Sequence, residues 1–180
     1  GWHHRSEGES LMTKIVLLVV LLAVGGWFWH DRNTLTPQKV EQFYDRQEHA
    51  LLSRDAKALC ELLADDLSGT STVATITGRV TEELTKKTAC ESHEQMMKAV
   101  RDIGSSMGGI AQLDYNSRVD NVSIAANKRS AQVTHRYALA VAGRMMHISG
   151  TSQDTVGMRM GRMVLIHSEG NSRMQVIGQR

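Results

Sequence analysis

The hydrophobic pattern of this 180-residue chain changes once, near Ile110, and that change constrains the fold more than any other feature. Before this point apolar residues recur every three or four positions, as on one face of a helix. After it they alternate, as on one face of a strand. The alternating part divides into four runs, at about 111–124, 130–142, 144–158 and 162–176. Turn-forming residues separate the runs, so the pattern predicts an antiparallel meander that follows a helical half.

The helical half contains start signals for three helices. Thr36 and Pro37 are typical of an N-cap and a first helical turn, and Asp55 is a second N-cap. The third helix begins at about Thr81 or Thr88 and ends near Ile103. A Thr-rich stretch from Thr70 to Thr77 has strand character. The chain is therefore expected to be α+β, with three N-terminal helices packed on a curved antiparallel sheet.

An apolar segment precedes the helical half. Residues 12–30 include fifteen successive uncharged residues from Ile15 to Trp29. With Lys14 reaching toward the headgroups, a helix here is long enough to span a bilayer, and Trp27, Phe28 and Trp29 suit the membrane interface. The alternative is a cleaved secretory signal with a small-residue site at Ala23-Val24-Gly25.

Both interpretations export the rest of the chain. We expect residues 37–178 to form one domain in the periplasm, tethered to a bacterial inner membrane by a single span or released after signal cleavage. Residues 31–36 serve as a linker in this organisation. Residues 1–11 are polar and begin with Gly, so they are a leader of doubtful status, and Met12 is a candidate start.

Cys60 and Cys90 are the chain's two cysteines, and both lie in predicted helices. In an exported domain they are a candidate disulfide pair, although two buried thiols are the alternative. Neither lies in a Cys-x-x-Cys spacing, which disfavours a zinc site.

Charge is unevenly distributed along the chain. The formal net charge is +2, yet residues 105–180 hold nine Lys/Arg and four Asp/Glu. Nearly all of these cations are arginines, which suits a phosphate, an anionic headgroup or an acidic partner, although a solvated sheet face is the simpler interpretation. No aromatic run accompanies them, so we do not expect nucleic-acid binding.

The element order, together with the phrase VEQFYDRQEHALLSRDAKALCELLADD at residues 40–66, resembles the nuclear transport factor 2-like superfamily. Ketosteroid isomerases and SnoaL-like polyketide cyclases share this cone-shaped fold, and cystatin-like domains have a related order. The resemblance covers about residues 37–176. It implies a pocket between the sheet and the helices, and a homodimer through the sheet is plausible for the fold.

Strand alternation selects the residues that face this implied pocket. In the run around 133–141, His135 and Tyr137 share the face of the apolar residues, and Tyr115, Asp154 and His167 are candidates from neighbouring strands. A pocket histidine beside a carboxylate can act as a general acid or base, as expected of the isomerases and dehydratases of the superfamily. The tyrosine and aspartate of a ketosteroid isomerase cannot be matched here, so no catalytic residue is assigned.

These features favour a tethered periplasmic binding or scaffold domain, which recognises an envelope protein or a small apolar ligand and uses no cofactor. Three alternatives remain open. The first is an inner-membrane assembly component of a secretion system, and the second is an isomerase-like or dehydratase-like enzyme. The third is an exported copper-binding protein, because Met158 and Met160 share a predicted strand face and His147 is near.

Overall fold

The computed structural model describes residues 15–24, 33–143 and 145–176. It divides the chain into two units, residues 1–34 and 35–180. In the first unit residues 15–24 are helical (α1) and exposed. Among the described residues, no helix combines the length and the apolar character that crossing a membrane requires. The interface residues Lys14, Trp27, Phe28 and Trp29 lie outside the described residues, so the tether remains a prediction.

In its described residues the second unit contains three helices and six strands. Its helices are α2 (Pro37–Leu52), α3 (Ala56–Glu61) and α4 (Lys86–Ser106). Its strands are β1 (Leu63–Thr75), β2 (Gly78–Glu83), β3 (Leu113–Ile124), β4 (Ser130–Val141), β5 (Met146–Arg159) and β6 (Arg162–Val176). This order confirms the α+β prediction of three helices packed on a curved sheet.

The sheet has the strand order β2-β1-β6-β5-β4-β3. The four C-terminal strands form the predicted antiparallel meander. Strand β1, however, pairs with β6 in parallel, which makes the sheet mixed. A period-two pattern shows which residues share a face but not which strand lies beside which, so the sequence did not reveal this pairing.

Side-chain caps set the helix starts. Thr36 Oγ1 accepts from the amide of Lys39, and Asp55 Oδ1 accepts from that of Ala58, as their sequence positions predicted. Helix α4 begins at Lys86 because Thr85 and Thr88 form a reciprocal capping box. The predicted start at Thr81 is wrong, since that residue lies in β2, a strand that the sequence did not indicate.

The helices cover one face of the sheet, the inner face. Phe43 of α2 is 2% exposed and packs with Val133 and Val156, while Val100 of α4 joins a second cluster with Leu139. The other face, the outer face, carries the alternate side chains of the strands, such as the exposed Arg136 of β4. Cys60 of α3 and Cys90 of α4 form the predicted disulfide, with their Cα atoms 5.2 Å apart.

Candidate functional site

A buried carboxylate lies on the inner face of the sheet. Asp154 of β5 is 6% exposed, and its oxygens accept hydrogen bonds from three hydroxyls. Tyr44 Oη and Ser152 Oγ donate to Oδ2 at 2.7 and 3.1 Å, and Ser168 Oγ donates to Oδ1 at 2.7 Å. A carboxylate is costly to bury unless such donors compensate for the lost water. The three hydroxyls therefore explain how an acidic group occupies this position.

Strand geometry brings these groups together. Ser152 and Asp154 are two residues apart in β5, so their side chains share a face. Ser168 of β6 stands directly opposite Asp154, and Tyr44 comes from the buried side of α2. Burial, the carboxylate charge and the hydrogen bond to Asp154 all raise the pKa of Tyr44, so its hydroxyl stays protonated and remains a donor.

His135 completes this group, which we call the inner cluster (Tyr44, His135, Ser152, Asp154 and Ser168). The imidazole is 3% exposed and stacks on Tyr44, with ring centroids 4.4 Å apart. Burial lowers its pKa, although the Asp154 charge opposes this effect, so the ring is neutral at pH 7. Its Nε2 atom is buried and has no hydrogen-bond partner among the described residues.

Two further candidates, Tyr137 and Tyr115, lie beside the inner cluster. The Tyr137 ring is 5.8 Å from that of His135 and lies against Gly150, where a Cβ atom would come within 2.8 Å of it. Burial raises the pKa of both tyrosines. Glu48 of α2 accepts a hydrogen bond from Ser117 at 3.0 Å near this end of the sheet. The inner face is thus polar as well as apolar.

The fifth candidate, His167, lies elsewhere. Its ring contacts Ser68 Oγ at 3.1 Å and Glu169 at 3.5 Å, and its side chain is 41% exposed. The next residue, Ser168, is the one that reaches Asp154. The pairing of β5 with β6 has a bulge between Thr155 and Val156, which shifts the register of the two strands. The face on which His167 lies therefore cannot be predicted without knowing this bulge.

The proposed methionine and histidine copper ligands do not converge either. Met158 is buried in the core, whereas Met160 is 98% exposed in the following turn. His147 is a residue of β5 at the opposite end from both. Within the described ranges, no group of three or more His, Cys, Asp or Glu side chains is placed to hold a metal.

Both His135 and Asp154 were predicted from the sequence, but the hydroxyls that hold Asp154 were not. Tyr44 lies at helical spacing among the apolar residues of α2, which indicates a core residue and gives no sign that its hydroxyl is used. Ser152 and Ser168 carry no signal alone, because a serine in a strand is common on either face. Ser152 lies two residues before Asp154, so the two side chains share a face of β5. This spacing becomes informative only when the pairing of β5 with β6 is known.

A second polar feature crosses the outer face. It is an open groove of about 700 Å³, which we call the arginine groove. Four arginines from four strands line it, namely Arg79 (β2), Arg118 (β3), Arg136 (β4) and Arg173 (β6). Between them lie small or neutral polar residues that include Thr72, Asn116, Ser149, Thr151 and Asn171. The sequence showed the excess of arginine in residues 105–180, but it predicted neither the convergence of three of these arginines on one groove nor the contribution of Arg79.

The four arginines differ in their ion pairs. Asp120, at a bulge in β3, accepts a bidentate interaction from Arg136 and lies 3.3 Å from Arg118 Nε. The hydrogen bond from Arg136 holds the pKa of Asp120 below its usual range. Within the described part of the chain, Arg79 and Arg173 take part in no ion pair. The groove thus has an unbalanced positive charge at its β2 and β6 side.

Comparison with known proteins gives similarity in structure but not in sequence. No family model matches the chain, and no curated protein matches it. A conserved protein from Planctomyces limnophilus is similar in structure, with a TM-score of 0.53 and 14% identity over 75% of this chain and 94% of that one. A putative scytalone dehydratase from Novosphingobium aromaticivorans also gives 0.53 and 14%, over 79% and 88%.

A third structure carries the fold name that the element order suggested. It is an NTF2-like protein of unknown function from Pseudomonas putida, with a TM-score of 0.50 and 12% identity over 74% of this chain and 84% of that one. At these identities the likeness concerns the backbone alone, and activities do not follow from a shared fold. The chain has the nuclear transport factor 2-like fold.

Proposed function

We propose that this protein is a binding domain, displayed outside the cytoplasm on a membrane tether, and that its inner cluster stabilises the fold instead of performing acid–base catalysis. One observation carries the proposal: the Asp154 carboxylate is enclosed and held by three hydroxyl donors. A general base must reach a substrate proton within hydrogen-bond distance. This carboxylate instead faces side chains of its own domain.

His135 supports the same interpretation. Its neutral ring would suit a general base, but the unpartnered Nε2 atom is buried, so a substrate could not reach it without a rearrangement of the stacked Tyr44 and Tyr137 rings. A small apolar ligand at this position would meet the same obstacle. The inner cluster is therefore interpreted as part of the core.

The disulfide supports the location. Cys60 and Cys90 are bonded, and disulfides persist in oxidising compartments such as the periplasm. The apolar residues 15–24 precede the domain, as a tether or signal would. Expression from Met12 followed by membrane fractionation, intact mass and thiol alkylation tests this part. A membrane-bound, uncleaved product with both cysteines protected until reduction is expected, and a cleaved soluble product would contradict the tether.

The role of Asp154 is tested by stability. If the carboxylate is structural, Asp154→Asn lowers the free energy of unfolding by about 2 kcal/mol, because hydrogen bonds to a charged group are lost. If it is a functional group kept at the expense of stability, the substitution leaves stability unchanged or raises it. Asp114→Asn, an exposed carboxylate of β3 on the outer face, is the matched control and changes stability by less than about 0.5 kcal/mol. Urea unfolding distinguishes the two outcomes.

A further inference from the structure

We propose that the arginine groove binds an acidic polysaccharide, a sugar chain that carries carboxylate or sulfate groups. This inference rests on the proposed binding role and names the surface and the chemistry of its ligand. It concerns the outer face, whereas the inner cluster lies on the other side of the same sheet. Three features of the groove support it, namely its unbalanced charge, its extended shape and its polar floor.

The net positive charge of the groove favours an anionic ligand. Arg118 and Arg136 stand directly opposite each other, and a single carboxylate, Asp120, pairs with both. Arg79 and Arg173 are aligned with Ala74, one from each neighbouring strand, and no acidic side chain separates them. The four guanidiniums therefore exceed the one carboxylate that pairs with them by three charges. Guanidinium groups bind carboxylate and sulfate oxygens through paired hydrogen bonds.

The distribution of the arginines across the sheet favours a polymer over a single ion. The arginines belong to β2, β6, β4 and β3, which are the first, third, fifth and sixth strands in the order of the sheet. With strands about 4.8 Å apart, the row extends about 24 Å across the sheet. The backbone positions of Arg79 and Arg173 lie two strand spacings apart, about 10 Å. A polymer with repeated anionic groups can contact all four.

The neutral polar residues between the arginines favour a ligand that carries hydroxyl groups. Thr151 faces Arg136 across one strand pair and Asn171 across the other, and Ser149 pairs with Arg173. Hydroxyl and amide side chains both donate and accept hydrogen bonds, as sugar hydroxyls do. Small residues such as Ala74 keep the floor low between the arginines. The lining thus alternates charge recognition with neutral polar contacts.

Other occupants fit these features less well. A protein interface usually has an apolar and aromatic core, which this groove lacks. Single-stranded nucleic acid needs exposed rings for stacking, but Tyr137, the aromatic residue of the lining, turns its ring toward Gly150 and His135 on the inner face. A homodimer through this face would bring like charges together. Glu83 and Glu169 are both aligned with Thr70 on the outer face, and they limit the groove on one side.

The test measures binding of polygalacturonate oligomers to the full chain in a neutral detergent by calorimetry, at low and moderate salt. We expect binding that weakens as salt rises, since the contacts are ionic. The double variant Arg79→Gln/Arg173→Gln should bind at least tenfold more weakly. The matched control, Lys98→Gln/Arg101→Gln, removes the same charge from the exposed side of α4 and should change affinity less than twofold. Dextran sulfate, tested in parallel, distinguishes sulfate from carboxylate recognition.

Several results would overturn the proposal. Equal losses in the two double variants would mean nonspecific attraction to a basic protein. Tighter binding of polyglutamate or a DNA duplex would assign the groove to another class of polymer, and masking of the groove by a stable dimer would assign it to a second copy of the chain. An absence of binding to both polysaccharides would reject this ligand class while leaving the binding role open. An unchanged or raised stability of Asp154→Asn would instead reject the proposed structural role of the inner cluster.

Discussion

The two faces of the sheet use polar residues in opposite ways. On the inner face, the charged group is buried and every hydrogen bond that holds it comes from its own domain, as at Asp154 with Tyr44 and Ser168. On the outer face, Arg79 and Arg173 are exposed to solvent in the arginine groove and form no ion pair with any described residue. Strand β4 contributes to both, with His135 inward and Arg136 outward.

This difference indicates where binding occurs. A satisfied buried network stabilises and specifies a core, and altering it alters the fold. Unpaired surface charges contribute little to stability, so their convergence on one groove is better explained by recognition than by folding. The comparison predicts that inner-face substitutions change stability and that outer-face substitutions change binding.

The largest expected effect follows from the aromatic core residue that packs on the inner face. Phe43→Ala should lower the free energy of unfolding by about 3–5 kcal/mol, because it removes a buried ring and leaves a cavity beside Val133. Thr134→Ala changes a residue on the outer side of β4, next to Val133, and should lower the free energy of unfolding by less than about 1 kcal/mol. Urea unfolding of both variants checks this contrast, and similar losses would show that the two faces are not distinct in stability.

The disulfide should have the next largest effect. It ties α3 to α4 in the helical layer that covers the inner face and is expected to stabilise by about 3 kcal/mol in the chain-entropy account. Cys60→Ser/Cys90→Ser should therefore unfold at lower temperature than the oxidised protein. A reductant should lower the melting temperature of the original chain and leave that of the double variant unchanged. Equal melting temperatures before and after reduction would contradict a stabilising role.

The fold could be predicted from the sequence because the signals for its helices and strands are local. The caps at Thr36 and Asp55, and the switch to alternation near Ile110, are properties of short segments. The parallel pairing of β1 with β6 is not, since it depends on which distant strand lies alongside. For the same reason the sequence suggested His135 and Asp154 as neighbours but gave no indication of Ser168, and it placed His167 with them although it lies elsewhere.

A pH effect of intermediate size should come from two histidines, the buried His135 and the half-buried His93. Burial lowers the folded-state pKa of His135 and of His93 on α4, so near pH 6 the unfolded chain binds more protons than the folded one. Stability from each neutral ring is present above its unfolded pKa of about 6.5 and is lost as pH falls below it, at a rate of at most about 1.4 kcal/mol per pH unit.

Comparison of variants isolates the contribution of His135. Urea midpoints measured at pH 7.5 and 5.0 should move less in His135→Phe, which keeps a stacked ring but cannot bind a proton, than in the original chain. His93→Phe should reduce the remaining shift. An unchanged pH dependence in His135→Phe would mean that the imidazole is not held neutral by burial.

The smallest effect on stability is expected for Asp120, the carboxylate that pairs with Arg118 and Arg136 of the arginine groove. Asp120→Asn releases Arg118 and Arg136 from their shared carboxylate, so binding of polygalacturonate should tighten while the melting temperature stays nearly unchanged. Calorimetric binding together with a thermal melt provides both quantities. Weaker binding in this variant would mean that Asp120 orients the arginines more than it competes with the ligand.

The central claim is that this domain binds through its outer face and not through its inner cluster. The most direct measurement is a nuclear magnetic resonance titration of the full chain, labelled at arginine and at aromatic side chains, with polygalacturonate. The account predicts shifts at the side-chain signals of Arg79 and Arg173, with those of Tyr44 and His135 unchanged. Shifts at Tyr44 and His135 without shifts at the arginines would contradict it and return the site to the inner face.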